Sequence, residues 1–107
     1  MRILLDECVP RRLRRELPGH DVRTVPEMGL SGKKNGELLK LIAGRGFEVL
    51  LTVDQNIRHQ QHLQATGIAV VVLVAVSNRL ADLLPLVPSV LASLSSIKPG
   101  ESVDITA

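Results

Sequence analysis

The chain of 107 residues is 45% hydrophobic and carries a net charge of +2, so it can bury one apolar core but not two. We therefore expect a single domain over residues 1–107. Phe47 is the one aromatic residue, which excludes a nucleic-acid surface built from stacked aromatic side chains. The longest apolar stretch, 68–76, has nine residues, whereas a membrane span needs about 20. The lone cysteine, Cys8, is typical of a protein of the reducing cytoplasm.

Apolar periodicity predicts alternating strands and helices along the first half of the chain. The expected elements are a buried strand within 2–7, a helix over 10–17, a more exposed strand over 20–25, a loop over 26–35 and a helix over 36–43. The first helix is amphipathic, since Val9, Leu13 and Leu17 recur at helical spacing among arginines. Asn35 is placed to be the N-cap of the second helix.

The second half of the chain continues the alternation. The expected elements are a strand over 49–54, a polar helix over 56–65, a buried strand over 68–76, a helix over 79–94 and an edge strand over 102–106. Pro85 and Pro88 should split or kink the last helix, because proline cannot donate the helical hydrogen bond. This order predicts an α/β sandwich with a mainly parallel sheet and right-handed crossovers.

Two acidic residues stand where buried strands end. Asp6 and Asp54 each follow a short apolar run, and the carboxyl ends of parallel strands are where ligands bind in open α/β sheets. If the two strands are neighbours, both carboxylates can bind one Mg²⁺ or Mn²⁺ ion, with Glu7 as a third ligand at the point where the chain turns. The alternative is that Asp6 and Asp54 cap the helices that follow them, and the two roles are compatible.

Basic residues cluster along the chain and form candidate contacts to an RNA backbone. The candidates are Arg11, Arg12, Lys33, Lys34 and Arg58. The alternative is that they form ordinary solvated helix faces.

Other chemistries have weaker support in the sequence. His59 and His62 are three residues apart among polar neighbours, which is too small a set for a zinc site and indicates an exposed face. Ser31 and Ser77 do not stand in a sequence motif with a histidine, so a hydrolytic catalytic triad is not supported. Acidic neighbours should raise the pKa of the Cys8 thiol, which is unfavourable for a nucleophile.

The opening MRILLDECVP resembles that of the PIN-like proteins of bacterial toxin–antitoxin loci, which are related to VapC-type toxins and in which a hydrophobic strand precedes Asp-Glu-Asn-hydrophobic-Pro. The stretches GHDVRTVPEMGL and NGELLKLIAGRGFEVLLTVDQNI continue the likeness in order, over residues 1–75. The resemblance implies a PIN-like three-layer α/β/α sandwich and a ribonuclease dependent on Mg²⁺ or Mn²⁺. It further implies a toxin whose partners are an RNA substrate and a cognate antitoxin protein.

The resemblance also assigns candidate catalytic residues. Asp6 matches the acid of the first strand, and Asp54 matches the late acid of the Thr-x-Asp strand end. Asn35 stands where the family commonly begins a helix with another acid, and Glu37 could replace that acid if the helix start is shifted. Cys8 stands where asparagine is usual.

These departures leave a second interpretation open, in which the chain is a catalytically weakened or inactive PIN-like module that binds a partner protein or RNA. The last predicted helix also carries apolar residues that could form a homodimer or lie in the core. They are Leu83, Leu84 and Leu91.

Overall fold

The computed structural model describes residues 1–59 and 63–107, and for Arg58 and His59 it describes the backbone alone. Its strands are β1 (Arg2–Leu5), β2 (Asp21–Thr24), β3 (Val49–Thr52), β4 (Ala69–Val74) and β5 (Ser102–Thr106). They form one sheet in the order β2-β1-β3-β4-β5, with every pair parallel. The prediction of a mainly parallel sheet is therefore confirmed. The buried strand predicted over 68–76 ends earlier than expected, since Val76 lies beyond β4 and is exposed.

Helical segments connect the strands, and some are 3₁₀ rather than α-helical. They are the 3₁₀ helix Arg11–Glu16, called here the arginine helix, α1 (Asn35–Ala43), the 3₁₀ helix Gln55–His59, α2 (Leu63–Thr66), α3 (Leu80–Leu83), the 3₁₀ helix Leu84–Leu86 and α4 (Val87–Leu94). Pro85 and Pro88 lie in the first turns of the helices that they begin, so the expected interruption of the last helix is confirmed. Of the predicted helix over 56–65, residues 60–62 lie outside the described part.

The helices form two layers, one on each face of the sheet. Because side chains alternate along a strand, Leu5 and Leu51 pack with the arginine helix, α3 and α4, whereas Leu4 and Leu50 pack with α1 and α2. Leu83 is part of the first cluster and is fully buried. The three-layer α/β/α sandwich is therefore confirmed.

The four crossovers do not share one hand. The chain moves in one direction along the sheet from β1 to β2 and in the other direction for the remaining three connections. The first and last connections pack on one face and the middle two on the other. The crossover from β4 to β5 is thus opposite in hand to the other three, and the prediction of uniformly right-handed crossovers is wrong. The short arginine helix covers little of its face, and α3 and α4 fill the remainder.

The strand order places a crevice beside β1. From β1 the chain goes first to β2 on one side and later to β3 on the other. Ligands of open α/β sheets bind at such a topological switch point, outside the carboxyl ends of the strands. Asp6 follows β1 and Asp54 lies just past β3, so both are at this crevice. Within residues 1–59 and 63–107, no helix has the length and apolar character to cross a lipid bilayer.

Candidate functional site

Asp6 and Asp54 are joined through one buried hydroxyl. The Thr52 side chain is fully buried, and its Oγ1 donates a hydrogen bond of 2.8 Å to Asp6 Oδ2. The same oxygen accepts a 3.0 Å hydrogen bond from the backbone N–H of Asp54. The Asp6 N–H continues the β1–β3 ladder by donating to the Leu51 carbonyl at 2.9 Å. Thr52 therefore fixes both aspartates at the same edge of the sheet, a role that the sequence pattern did not predict.

The two aspartates differ in their capping roles. Asp54 Oδ1 accepts the N–H of Asn56 at 2.9 Å, so Asp54 caps the 3₁₀ helix that begins at Gln55, as expected. Asp6 does not cap the arginine helix, whose N-cap is Pro10 without a side-chain hydrogen bond. The Asp6 carboxylate accepts the N–H of Glu7 at 2.9 Å instead, because the chain turns tightly directly after β1. The expectation that Asp6 caps that helix is therefore wrong.

The start of α1 faces the crevice. Asn35 Nδ2 donates a 3.3 Å hydrogen bond to Asp54 Oδ2, which brings to the site the position that the resemblance had singled out. Asn35 is the first residue of α1 and Lys34 is the N-cap, so its predicted capping role is wrong. Glu37 forms an ion pair of 3.3 Å with Lys33 and is exposed.

Glu7 and Cys8 follow Asp6 but do not join its carboxylate in one cluster. Glu7 Oε1 accepts the N–H of Gly32 at 3.2 Å, which ties it to the loop before α1. Cys8 Sγ lies 3.7 Å from Thr52 Oγ1. Burial raises the pKa of the Cys8 thiol, and the charge of Asp6 adds to the rise, which is the direction expected from its neighbours.

An open cleft of about 700 Å³ extends from the acidic residues toward the arginine helix. Four of its lining residues are arginines of that helix, Arg11, Arg12, Arg14 and Arg15, and Asp6 and Glu7 line it too. Arg11 and Arg12 are two of the predicted RNA contacts, and Arg14 and Arg15 belong to the same basic cluster of the sequence. All four arginines are exposed and Leu13 is buried, as the amphipathic pattern of this helix predicts.

The remaining basic and histidine candidates are not part of this cleft as far as the structure describes them. Lys33 and Lys34 are exposed on the loop before α1. The side chains of Arg58 and His59, and the whole of His62, lie outside the described residues.

The donor set at the crevice suits a small divalent cation. From the described residues, each carboxylate oxygen of Asp6 and Asp54 accepts one hydrogen bond, and a carboxylate offers about four acceptor positions. Unoccupied positions therefore remain on both groups. Magnesium commonly uses one or two carboxylates and keeps several waters. In the described ranges no three His, Cys, Asp or Glu side chains form a group that could hold a metal, so the fit depends on this pair.

Comparison with known proteins places the fold in a family. A family model described as a PIN like domain matches residues 1–75, a span that holds β1 to β4 and both aspartates. No curated protein and no solved structure matches the chain significantly. PIN-like domains are commonly nucleases. The chain belongs to the family of PIN-like domains.

Proposed function

We propose that this protein is a metal-dependent ribonuclease that hydrolyses RNA at the crevice between β1 and β3. The observation that supports this most strongly is the shared Thr52 hydroxyl, which holds Asp6 and Asp54 at one topological switch point. Two carboxylates in one crevice repel each other unless a cation lies near both. Their joint fixation by a buried side chain is therefore more consistent with a site than with two independent surface acids.

In this proposal Asp6 and Asp54 hold Mg²⁺ or Mn²⁺. The bound ion would supply Lewis acidity and neutralise charge on the phosphate. Thr52 positions the two carboxylates, and Asn35 holds one oxygen of Asp54. The arginines of the cleft attract the RNA backbone electrostatically. Glu7 and Glu37 are assigned outer roles, since their carboxylates contact Gly32 and Lys33.

The biological setting of this activity is also a proposal. The opening of the chain resembles that of PIN-like proteins of toxin–antitoxin loci, so we assign the chain a toxin role in the cytoplasm with an antitoxin as partner. A segment of that antitoxin would cover the acidic crevice. Leu84 and Leu91 are 38% and 37% exposed and offer a small apolar surface for a homodimer.

A second candidate function is a non-catalytic module that binds RNA or a protein. The contact between Asn35 and Asp54 favours it, because a neutral amide occupies a carboxylate oxygen where the family commonly has another acid. A neutral group in place of a charged ligand lowers the affinity for a divalent cation.

Cleavage of a labelled RNA with Mn²⁺, with Mg²⁺ and with EDTA distinguishes the two functions. Asp6→Asn and Asp54→Asn should each reduce the cleavage rate by more than about 100-fold, since losing even a residue that only supports a metal ligand costs about 10–100-fold. Asp21→Asn is the matched control. Asp21 is exposed in β2 and pairs with Arg23 at 2.8 Å, so its loss should leave the rate within about twofold of wild type.

Two results would contradict the nuclease proposal. One is a wild-type protein that binds RNA but does not cut it with either metal, which would support the binding module. The other is equal activity of the Asp6, Asp54 and Asp21 variants, which would place the chemistry elsewhere.

A further inference from the structure

We propose that the RNA strand reaches the acidic crevice along the arginine helix, with its phosphates on Arg11, Arg12 and Arg15. The inference rests on the proposed function for the choice of RNA as ligand. It adds which side of the site the strand occupies and which cations hold it.

The arginine helix has four exposed arginine side chains and one buried leucine that packs against the sheet. Leu13 is 1% exposed and fixes the helix to the sheet. A 3₁₀ helix has three residues per turn, so residues three apart lie one above the other, about 6 Å apart along the axis. Arg12 and Arg15 form one such column, and Arg11 and Arg14 form the other. Both columns border the cleft that contains Asp6.

One of the four arginines is already neutralised. Arg14 forms a 2.8 Å ion pair with Glu27, and Glu27 also accepts the backbone N–H of Thr24 at 2.7 Å. This pair joins the helix to the turn after β2 and forms a wall of the cleft. In residues 1–59 and 63–107, the other three arginines of the helix take no part in an ion pair. Their charge is available to a ligand.

The lining of the cleft carries charges of both signs. Three uncompensated guanidinium groups lie on the arginine helix, and Asp6 and Glu7 lie at the crevice. A phosphodiester strand suits both sets of charges, because its phosphates bind arginine directly and can share a divalent cation with carboxylates. The carboxylates of an acidic peptide could make the same two kinds of contact, so the choice of RNA over an acidic protein segment rests on the proposed function. Polyglutamate is therefore the comparison ligand in the test.

The same observations place the strand away from the loop before α1. The ammonium group of Lys33 pairs with Glu37 at 3.3 Å. Neither Lys33 nor Lys34 lines the cleft. We therefore assign the backbone contacts to one side of Asp6 only.

Binding of a fluorescein-labelled oligouridine, followed by anisotropy in EDTA over a range of salt concentrations, tests this path without any need for cleavage. The variant Arg11→Gln/Arg12→Gln/Arg15→Gln should lose about 2 units of the slope of log affinity against log salt and on the order of 100-fold in affinity near 0.1 M salt, since each single-strand phosphate contact contributes about 0.7 to the slope. The matched control is Lys40→Gln/Arg45→Gln/Lys98→Gln, which removes the same charge from exposed residues that do not line the cleft. It should change the slope by less than about 0.5.

The triple substitution to lysine provides a second variant that keeps the charge. It should retain the wild-type slope, and circular dichroism of each variant confirms that the fold is intact. Equal losses in the arginine variant and the control would overturn the proposed path. Failure of the wild type to bind oligouridine would also overturn it. So would a competition experiment in which polyglutamate displaces the labelled RNA as effectively as polyuridine does, with both competitors at the same concentration of charge.

RNA cleavage is measured in a separate assay from RNA binding. If the wild type binds along the arginine helix and never cuts, the proposed path stands and the proposed nuclease activity fails.

Discussion

Replacing Thr52 by valine removes the hydroxyl that joins the two aspartates while keeping the side-chain shape. The hydrogen bond from Thr52 to the Asp6 carboxylate is 2.8 Å long and charge-assisted, and losing such a bond costs about 2 kcal/mol. The Asp54 N–H loses its 3.0 Å partner as well, which adds about 1 kcal/mol. We expect Thr52→Val to lower the free energy of unfolding by about 3 kcal/mol and the Tm by about 12–20 °C.

A control is available elsewhere in the chain. The Thr66 hydroxyl donates to the Leu63 carbonyl at 2.7 Å and accepts the Ile68 N–H at 3.2 Å, so it too makes two hydrogen bonds but touches no carboxylate. Thr66 is only partly buried, so water can replace part of these bonds, and Thr66→Val should lower the free energy of unfolding by about 1 kcal/mol. Urea unfolding followed by circular dichroism measures both variants.

Metal binding separates the positioning part of Thr52 from its part in stability. A ligand that binds only the folded state at 100 times its Kd stabilises it by about 2.7 kcal/mol. Mn²⁺ should stabilise the wild type, the Thr66→Val variant and a Thr52→Ser variant alike, and Thr52→Val much less. Equal unfolding free energies for Thr52→Val and Thr66→Val, together with equal stabilisation by Mn²⁺, would show that Thr52 does not position the two aspartates for a cation.

Three further substitutions or treatments have expected outcomes. Asn35→Asp replaces the amide donor to Asp54 by a carboxylate, so it should lower the unfolding free energy by about 2 kcal/mol without metal and increase the stabilisation by Mn²⁺ in thermal denaturation. Cys8 should react with iodoacetamide more slowly than free cysteine near neutral pH, because burial raises the pKa of its thiol above the ordinary 9.0. Mass spectrometry measures the rate of this alkylation. The contribution of the buried Cys8 thiol to the free energy of unfolding should be complete below pH 9.0 and decrease as the pH rises through the folded-state pKa. Gly100→Ala should cost about 3 kcal/mol in urea unfolding, because Gly100 has φ +78° and a Cβ there would lie 3.0 Å from Gln64 Cα.

Each of these outcomes has a contrary result. A smaller response to Mn²⁺ in Asn35→Asp than in the wild type would show that position 35 does not face the cation. Alkylation of Cys8 at the rate of free cysteine would show that the thiol is accessible. Gly19 also has a positive φ, of +84°, but has open space around it, so Gly19→Ala should cost about 1 kcal/mol. Equal costs at both glycines would refute the argument from crowding at Gly100.

The strands and the edge that holds the site could be predicted because their signals are local. Continuous apolar runs mark β1, β3 and β4, and the parallel arrangement follows from their alternation with helices. Asp6 and Asp54 stand directly after two such runs. Their meeting at one edge follows once β1 and β3 are neighbours.

The features that could not be predicted depend on contacts distant in sequence. Thr52 is one polar residue in an apolar run, and its partner Asp6 is 46 positions away. Asparagine is a residue type preferred at the N-cap, but the side chain of Asn35 donates a hydrogen bond to Asp54, and this contact outweighs the local preference. The hand of the last crossover depends on how α4 fills a face that the arginine helix leaves open. Local propensity carries no information about these choices.

Anomalous scattering from a crystal soaked in Mn²⁺ tests the shared cation most directly. We expect one anomalous peak within coordination distance of carboxylate oxygens of both Asp6 and Asp54, and loss of that peak in Asp54→Asn. A peak bound by other residues, or none at a Mn²⁺ concentration that supports RNA cleavage, would show that the two aspartates do not share a cation.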